Sequence, residues 1–491
     1  MDGEEQIMDQ YKALKKQFES GWLEADAEKR EACMQFSEGY KGFLDRGKTE
    51  RESVNEAVAL AKQAGFVDFQ EMLQSGNGTN QALQPGTKIY YVNKHKSVIF
   101  GVIGSDALTG GLNIIGSHVD APRIDLKQMP VYEDSDLAYF ETHYYGGIKK
   151  YQWVTIPLAL HGIVFDKEGN GINISIGEAE DDPVFYFTDL LPHLAQKQMK
   201  KSASEFIPAE DLNLLVGSIP VLDCNKSDDA SNNKIKDPVK TNVLKWIHEK
   251  YGVTEEDFVR AELQIVPAYK AKDIGFDRGL VGGYGQDDRV CAYTSLMAIL
   301  DIAKGVPRRT ALCILTDKEE IGSVGNTSMQ GSYFETFVLE LCDILEKDVN
   351  PALAVKRCFA NSYMISADVN AAVDPNFDGV QEKRNACFVG RGTVMQKYTG
   401  SRGKSGASDA NPEFISKVTN KFNADGIVWQ TGDLGKVDLG GGGTIAGFVA
   451  NLGIEVLDCG VGLLAMHSPY EVASKMDIYE AYRAYRSFYT L

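Results

Sequence analysis

The sequence predicts an α/β protein with a mostly parallel sheet flanked by helices and interrupted by a mainly β insert. Three observations point there. Short, mostly apolar runs such as LNIIGS (112–117), ALCILT (311–316) and SYMISA (362–367) read as strands buried on both faces. Helical patterns such as DRVCAYTSLMAILDIAKG (288–305) and NPEFISKVTNKFNAD (411–425) alternate with strand-like runs after about residue 265. Between them the texture changes to alternating strands with glycine turns.

Taken in order, residues 1 to about 75 read as charge-rich helix, with helical apolar spacing in SVNEAVALAKQAGF (53–66). KIYYVN (88–93) and SVIFGVIG (97–104) begin the strands. Beyond Pro122, PVYEDSDLAYFETHYYGG, WVTIPLALHGIVF and INISIG alternate like antiparallel strands, with turns at Gly146-Gly147 and Gly169-Asn170-Gly171. HLAQKQMKKSASEFIPAEDL (193–212) reads as polar helix and CNKSDDASNNKIKDP (224–238) as an exposed loop, followed by helix, turn and strand over 239–263. RTALCILT, SYMISAD, GTVMQKY, GIVWQT, IEVLDCG and GLLAMHS continue the α/β series. The expected domains are a discontinuous unit, 1–128 plus 264–491, and an insert over 129–263.

Composition narrows the class. The chain of 491 residues carries 69 acidic against 51 basic residues, a net charge of −18. That excess repels nucleic-acid phosphates and anionic membranes. No apolar run approaches the roughly 20 residues that cross a bilayer. The start, MDGEEQIMDQYK, is acidic where a signal peptide is basic and apolar, so a cytoplasmic protein is expected. The eight cysteines are scattered singly without a CxxC pair, which argues against a disulfide framework or a thiolate zinc site.

The residues at the strand exits carry the chemistry. LNIIGS leads to His118-Val119-Asp120, ALCILT to Asp317-Lys318-Glu319-Glu320, SYMISA to Asp368 and GLLAM to His467, while Asp287 lies in GGYGQDDRV ahead of a helix. Ligands of α/β sheets bind beyond the carboxyl ends of strands. Singly, each of these residues has an ordinary reading: a structural histidine, a solvated acidic pair, or a helix N-cap in the case of Asp287 and Asp288. Their recurrence at four strand exits is what argues for a site. His118, Asp287, Glu320, Asp368 and His467 make a mixed nitrogen and oxygen set suited to two divalent ions, zinc first, cobalt or manganese next. Asp287 is the natural bridge, Asp120 can fix the His118 ring, and Glu319 can face water as general base while Glu320 binds metal.

At these residues the chain resembles the aspartyl aminopeptidase/aminopeptidase I family of dinuclear zinc exopeptidases. The segments are SHVDAPR, YYGGIKKYQW, LLPHLA, GYGQDDR, TDKEEIGSVG, SYMISADVNAAVDPNF, GGGGTIA and LLAMHSPYE, in the family's order from about residue 85 onward. The resemblance implies a metalloaminopeptidase acting on peptides. It makes the same five residues the metal ligands, Glu319 the base, Asp120 the orienting acid and the insert a dimerisation domain within a homo-oligomer, a tetrahedral dodecamer. It further implies that a histidine from a neighbouring subunit completes the pocket, which places His193 there, although Lys197 stands where relatives carry a second histidine. The other readings are a catalytically silent scaffold of the same assembly, or a dinuclear hydrolase of acylated amino acids. Acid-preferring members read ADMAH where this chain has Ala371, and Arg391, Lys397, Arg402 and Lys404 are the basic residues near the pocket segments, so N-terminal preference stays open. The Gly440–Gly443 run lacks the lysine of a phosphate loop and suits close approach of a peptide backbone.

Overall fold

A computed structural model describes residue 14 and residues 16–74, 83–221 and 235–491. Most of the expected 224–238 loop, and the first thirteen residues, lie outside the described residues.

Nine strands form the main sheet, in the order β1 (Val67–Asp68), β2 (Lys88–Asn93), β3 (Ser97–Val102), β13 (Ala311–Thr316), β4 (Asn113–His118), β14 (Tyr363–Ser366), β20 (Glu455–Gly460), β16 (Thr393–Gln396) and β18 (Trp429–Thr431). The sheet is mixed. Its centre, β13-β4-β14-β20, is parallel, while β2, β3 and β16 enter antiparallel contacts. β3, β4 and β13 are buried throughout, the environment that uninterrupted apolar strands require.

Helices cover both faces. Ala27–Arg46, Glu50–Gln63, Gln286–Ile302, Pro412–Ala424 and Lys475–Phe488 pack on one face, and Tyr333–Leu345 and Pro351–Ala360 on the other. The helix Gln286–Ile302, expected to be amphipathic, is instead buried on nearly all sides because the helices Ala27–Arg46 and Lys475–Phe488 cover its outer face.

A second sheet of six strands is wholly antiparallel. Its order is β8 (Gly171–Ile176), β7 (Leu158–Phe165), β10 (Ala261–Pro267), β5 (Arg123–Asp134), β6 (Leu137–Tyr145) and β9 (Leu214–Gly217). Its own core is built around Trp153, Phe140 and Phe258. The helix expected over 193–212 does not form: only the single 3-10 turns Gln198–Lys200 and Ala209–Asp211 occur. Proline at 192 and 208 and three lysines with no buried stripe leave a helix there nothing to pack.

A third sheet, β11 (Lys272–Ile274), β12 (Leu280–Gly283), β22 (Glu471–Ser474), β21 (Gly462–Leu464) and β15 (Asn370–Ala371), lies beside the ends of the main one, and a two-stranded ribbon pairs β17 (Gly400–Ser401) with β19 (Gly441–Gly442). The seven described cysteines are buried and unpaired.

Gly460 shows how tightly the sheet centre is closed, since a Cβ there would lie 1.8 Å from the Asp368 carbonyl oxygen. Gly460→Ala is expected to lower Tm through a cost of about 1–3 kcal/mol. Gly305→Ala, with no atom within 4 Å, should leave Tm unchanged or slightly higher in the same melting experiment.

Candidate active site

Three neighbouring parallel strands deliver the first group of side chains. His118 ends β4 and pairs in register with Thr316 of β13, while Asp368 follows β14 by two residues. The fourth expected exit differs: His467 follows β21 of the small sheet, not a strand of the main one, and sits in the β21–β22 connection with left-handed backbone, φ 64°. Asp287 enters just after β12 of that same small sheet, at the start of the helix Gln286–Ile302. Two sheets therefore face each other across the site.

Asp287 lies between the two imidazoles. One carboxylate oxygen is 3.3 Å from Nε2 of His118 and the other 3.2 Å from Nε2 of His467. Glu320 Oε2 is 3.5 Å from Nε2 of His467. Ligand atoms of His118, Asp287 and Glu320 lie within 4.8 Å of one another, as do those of His118, Asp288 and Asp368. Glu319 Oε2 stands 3.9 Å from Nε2 of His118. The structure thus brings together all five expected ligands and the expected base.

Glu319 and Glu320 do not lie on extended backbone. They form a 3-10 turn, Glu319–Ile321, entered through Lys318 at φ 67°. Asp120 explains the turn. Its carboxylate accepts from the backbone N–H groups of Glu319 (3.1 Å) and Glu320 (3.2 Å) and from the Tyr145 hydroxyl (2.8 Å). The His118 ring is held from the same residue: Nδ1 lies 2.9 Å from the Asp120 carbonyl oxygen and 3.3 Å from its carboxylate. With Nδ1 so engaged, Nε2 faces the cluster.

One supporting residue was missed in the sequence. Glu471, fully buried at the start of β22, accepts from the backbone N–H of Asp287 at 3.0 Å and of His467 at 2.7 Å. Its position four residues after His467 was the available signal. Asp288, read only as a cap, is buried and accepts from the His118 N–H at 3.2 Å.

His193 is exposed and outside this cluster, as is Lys197. His161 is buried between Glu52 and Glu178, and His143 is exposed. Arg391 stacks on Phe388 in a separate groove beside Lys16 and Phe18, while Lys397 and Lys404 both pair with Asp409.

The electrostatics are those of a site short of positive charge. Burial, and then the Asp287 charge, pushes Glu320 well above the usual carboxylate range, and burial with the Asp288 charge does the same to Asp368. Burial lifts Glu319 to about 7 and Glu471 to about 8. Burial opposes charge on Asp287 too, but the hydrogen bonds from His118 and His467 hold its carboxyl well below its ordinary value. Burial would depress His467, yet Asp287 and Glu320 raise it to about 10. Glu320 Oε1 and Asp288 Oδ1 are buried without a hydrogen-bond partner among the described residues. Unpartnered carboxylate oxygens beside two imidazoles form the donor set that divalent zinc takes.

The adjoining cavity of about 610 Å³ is lined by Val369, Gln396, Thr399, Leu434, Phe448, Met466 and the glycines 441–443, besides the acids and His467. An α/β sheet with such a cluster at its carboxyl ends belongs to the metal-dependent hydrolases. The model of the aminopeptidase I zinc metalloproteases (M18) matches residues 43–489, so the chain belongs to that family and is a zinc aminopeptidase. A probable M18 family aminopeptidase 1 of Clostridium acetobutylicum is 47% identical over 478 residues, 97% of this chain and 98% of that protein. The crystal structure of an M18 family aminopeptidase from Thermotoga maritima matches with TM-score 0.88 at 40% identity, covering 97% of this chain and 99% of that one. The Saccharomyces cerevisiae mApe1 dodecamer shares the fold, with TM-score 0.72 at 20% identity over 92% of this chain and 95% of that one.

Removing the Glu471 carboxylate should loosen both groups it holds. Glu471→Gln is expected to weaken zinc retention about 10–100-fold, measured as zinc per chain after dialysis against graded chelator.

Proposed function

We propose that this zinc aminopeptidase removes a neutral N-terminal residue from peptides, using two divalent ions and Glu319 as general base. The observation that carries the reading is Asp287, whose two oxygens face separate histidines 3.3 and 3.2 Å away. His118, Asp368, His467 and Glu320 would complete the two ligand sets, with Asp287 shared, and zinc is the first choice of metal, ahead of cobalt or manganese. When bound there, zinc supplies Lewis acidity, polarising a carbonyl and making water acidic near neutral pH.

The chain's own groups do the remaining work. The Glu319 carboxylate takes a proton from water as the water oxygen bonds to the scissile carbonyl carbon. It then returns that proton to the leaving amine nitrogen as the C–N bond breaks. Burial raises the Glu319 carboxyl above its ordinary value, the direction that a group which must both take and return a proton requires. Asp120 holds the Glu319–Glu320 turn and the His118 ring while this happens. An aminopeptidase reaction needs a free α-amino group on the substrate, which a blocked amino acid lacks.

Specificity follows from the lining. Among the described residues no lysine or arginine borders the cavity, whose wall offers Val369, Thr399, Leu434 and Met466. An acidic side chain would find no cationic side chain on that wall besides His467. The region 129–263 is proposed as the association domain of a homo-oligomer, supported by the exposed apolar side chains Leu190, Leu191, Leu194 and Met199 around His193. The yeast dodecamer of the same fold supports the assembly, in which His193 of one subunit would face another's pocket. No described helix is long and apolar enough to cross a membrane, and a cytoplasmic location is proposed with it.

Aminoacyl chromogenic substrates test this reading. Leu and Met substrates should be cleaved and Asp, Glu and N-blocked ones left nearly untouched; preferential cleavage of Asp would refute the pocket assignment. Glu319→Gln should lower kcat by about 10²–10⁴ with zinc retained, whereas Glu320→Ala should lose zinc. A Glu319→Gln protein turning over like its parent would remove the base.

A further inference from the structure

The six-stranded sheet touches the acid and histidine cluster at one turn. Tyr145 ends β6, and its hydroxyl donates to Oδ2 of Asp120 at 2.8 Å. Two residues on, the Gly147 carbonyl oxygen lies 2.9 Å from Nδ1 of His467. The same short turn therefore reaches both histidines, one through Asp120 and one directly.

Tyr145 is itself held. It pairs in register with Arg123 of β5, whose guanidinium lies 3.8 Å from the centre of the tyrosine ring. Arg123 is buried and in turn meets Asp125 at 2.8 Å and, at 3.5 Å, Glu50, the first residue of the helix Glu50–Gln63. Gln264 donates to the same Glu50 oxygen at 2.8 Å, and Lys96 stands 3.4 Å from the other oxygen. A stacked cation fixed by two carboxylates leaves the ring little freedom, so the hydroxyl is aimed rather than merely available.

The bond is not incidental to Asp120. That carboxylate is fully buried and carries three tasks: it caps Glu319, caps Glu320 and flanks the His118 ring. The two backbone donors take one oxygen each, and Tyr145 adds a second donor to the oxygen that the Glu320 N–H holds. Tyr145 does not border the cavity.

We propose that Tyr145 is a positioning residue for the aminopeptidase reaction. Acting through Asp120, it aligns the His118 ring and the Glu319–Glu320 turn, so that a residue of the six-stranded sheet tunes the chemistry of the main one. This role rests on the proposed site, with Glu319 as its base.

The test is a double-mutant cycle on the full-length, zinc-loaded protein with Tyr145→Phe, Asp120→Asn and the pair. Phenylalanine keeps the ring under Arg123 and removes only the hydroxyl, and melting and light scattering check fold and assembly. Tyr145→Phe is expected to lower kcat for a Leu substrate about 10–100-fold and to weaken zinc in competition with a chelator by a similar factor, while KM stays near the parent value. In the Asp120→Asn background the same substitution should cost little more. Parental kcat and zinc affinity in Tyr145→Phe would overturn the proposal, as would an undiminished penalty in the Asp120→Asn background. Glu319→Gln run alongside separates the two readings: parental turnover there removes the site assignment, whereas a silent Tyr145→Phe beside a dead Glu319→Gln removes only this one.

Discussion

Burying several carboxylates together is the constraint on which the rest of this structure depends. Asp120, Asp287, Asp288, Asp368 and Glu471 are all buried within one cluster, with Glu319 and Glu320 beside them and two imidazoles for company. Removing such charges from water is expensive unless each finds partners. The protein answers unevenly. Asp120 receives three donors and Glu471 two, and Asp287 is flanked by both histidines. Glu320 and Asp288 keep oxygens that no group among the described residues satisfies. A zinc enzyme can sustain that imbalance, because the missing charge comes with the metal.

The fold serves this arrangement by convergence. The parallel centre of the main sheet sets His118, the Glu319–Glu320 turn and Asp368 side by side. The small sheet brings Asp287, His467 and Glu471 from the opposite side, and the antiparallel sheet contributes Tyr145 and Gly147 from a third. Glu471 ties the backbone of Asp287 to that of His467, so the small sheet moves its two contributions as one unit. Precision here comes from strands and their first turns, which are stiffer supports than long loops.

Much of this was legible in the sequence because chemistry and periodicity coincided. Apolar runs ending in His118, Glu319-Glu320 and Asp368 marked neighbouring strand exits before any pairing was known. What escaped depended on long-range hydrogen bonds. Glu471 and Tyr145 act by bonding to backbone or to another side chain, which no local pattern announces. The polar segment 193–212 had helical composition but nothing to pack against, and tertiary context decided it. His467 looked like a further exit of the same sheet, because a run of three or four apolar residues does not reveal which sheet it joins.

The split between sheets has a bearing on how the enzyme is made. His118 is translated long before His467, with the whole antiparallel sheet synthesised between them. The small sheet cannot close until β21 and β22 have left the ribosome, since they pair with β12 and β15. A nascent chain therefore lacks the assembled cluster until the β21–β22 segment emerges, long after the antiparallel sheet has been made.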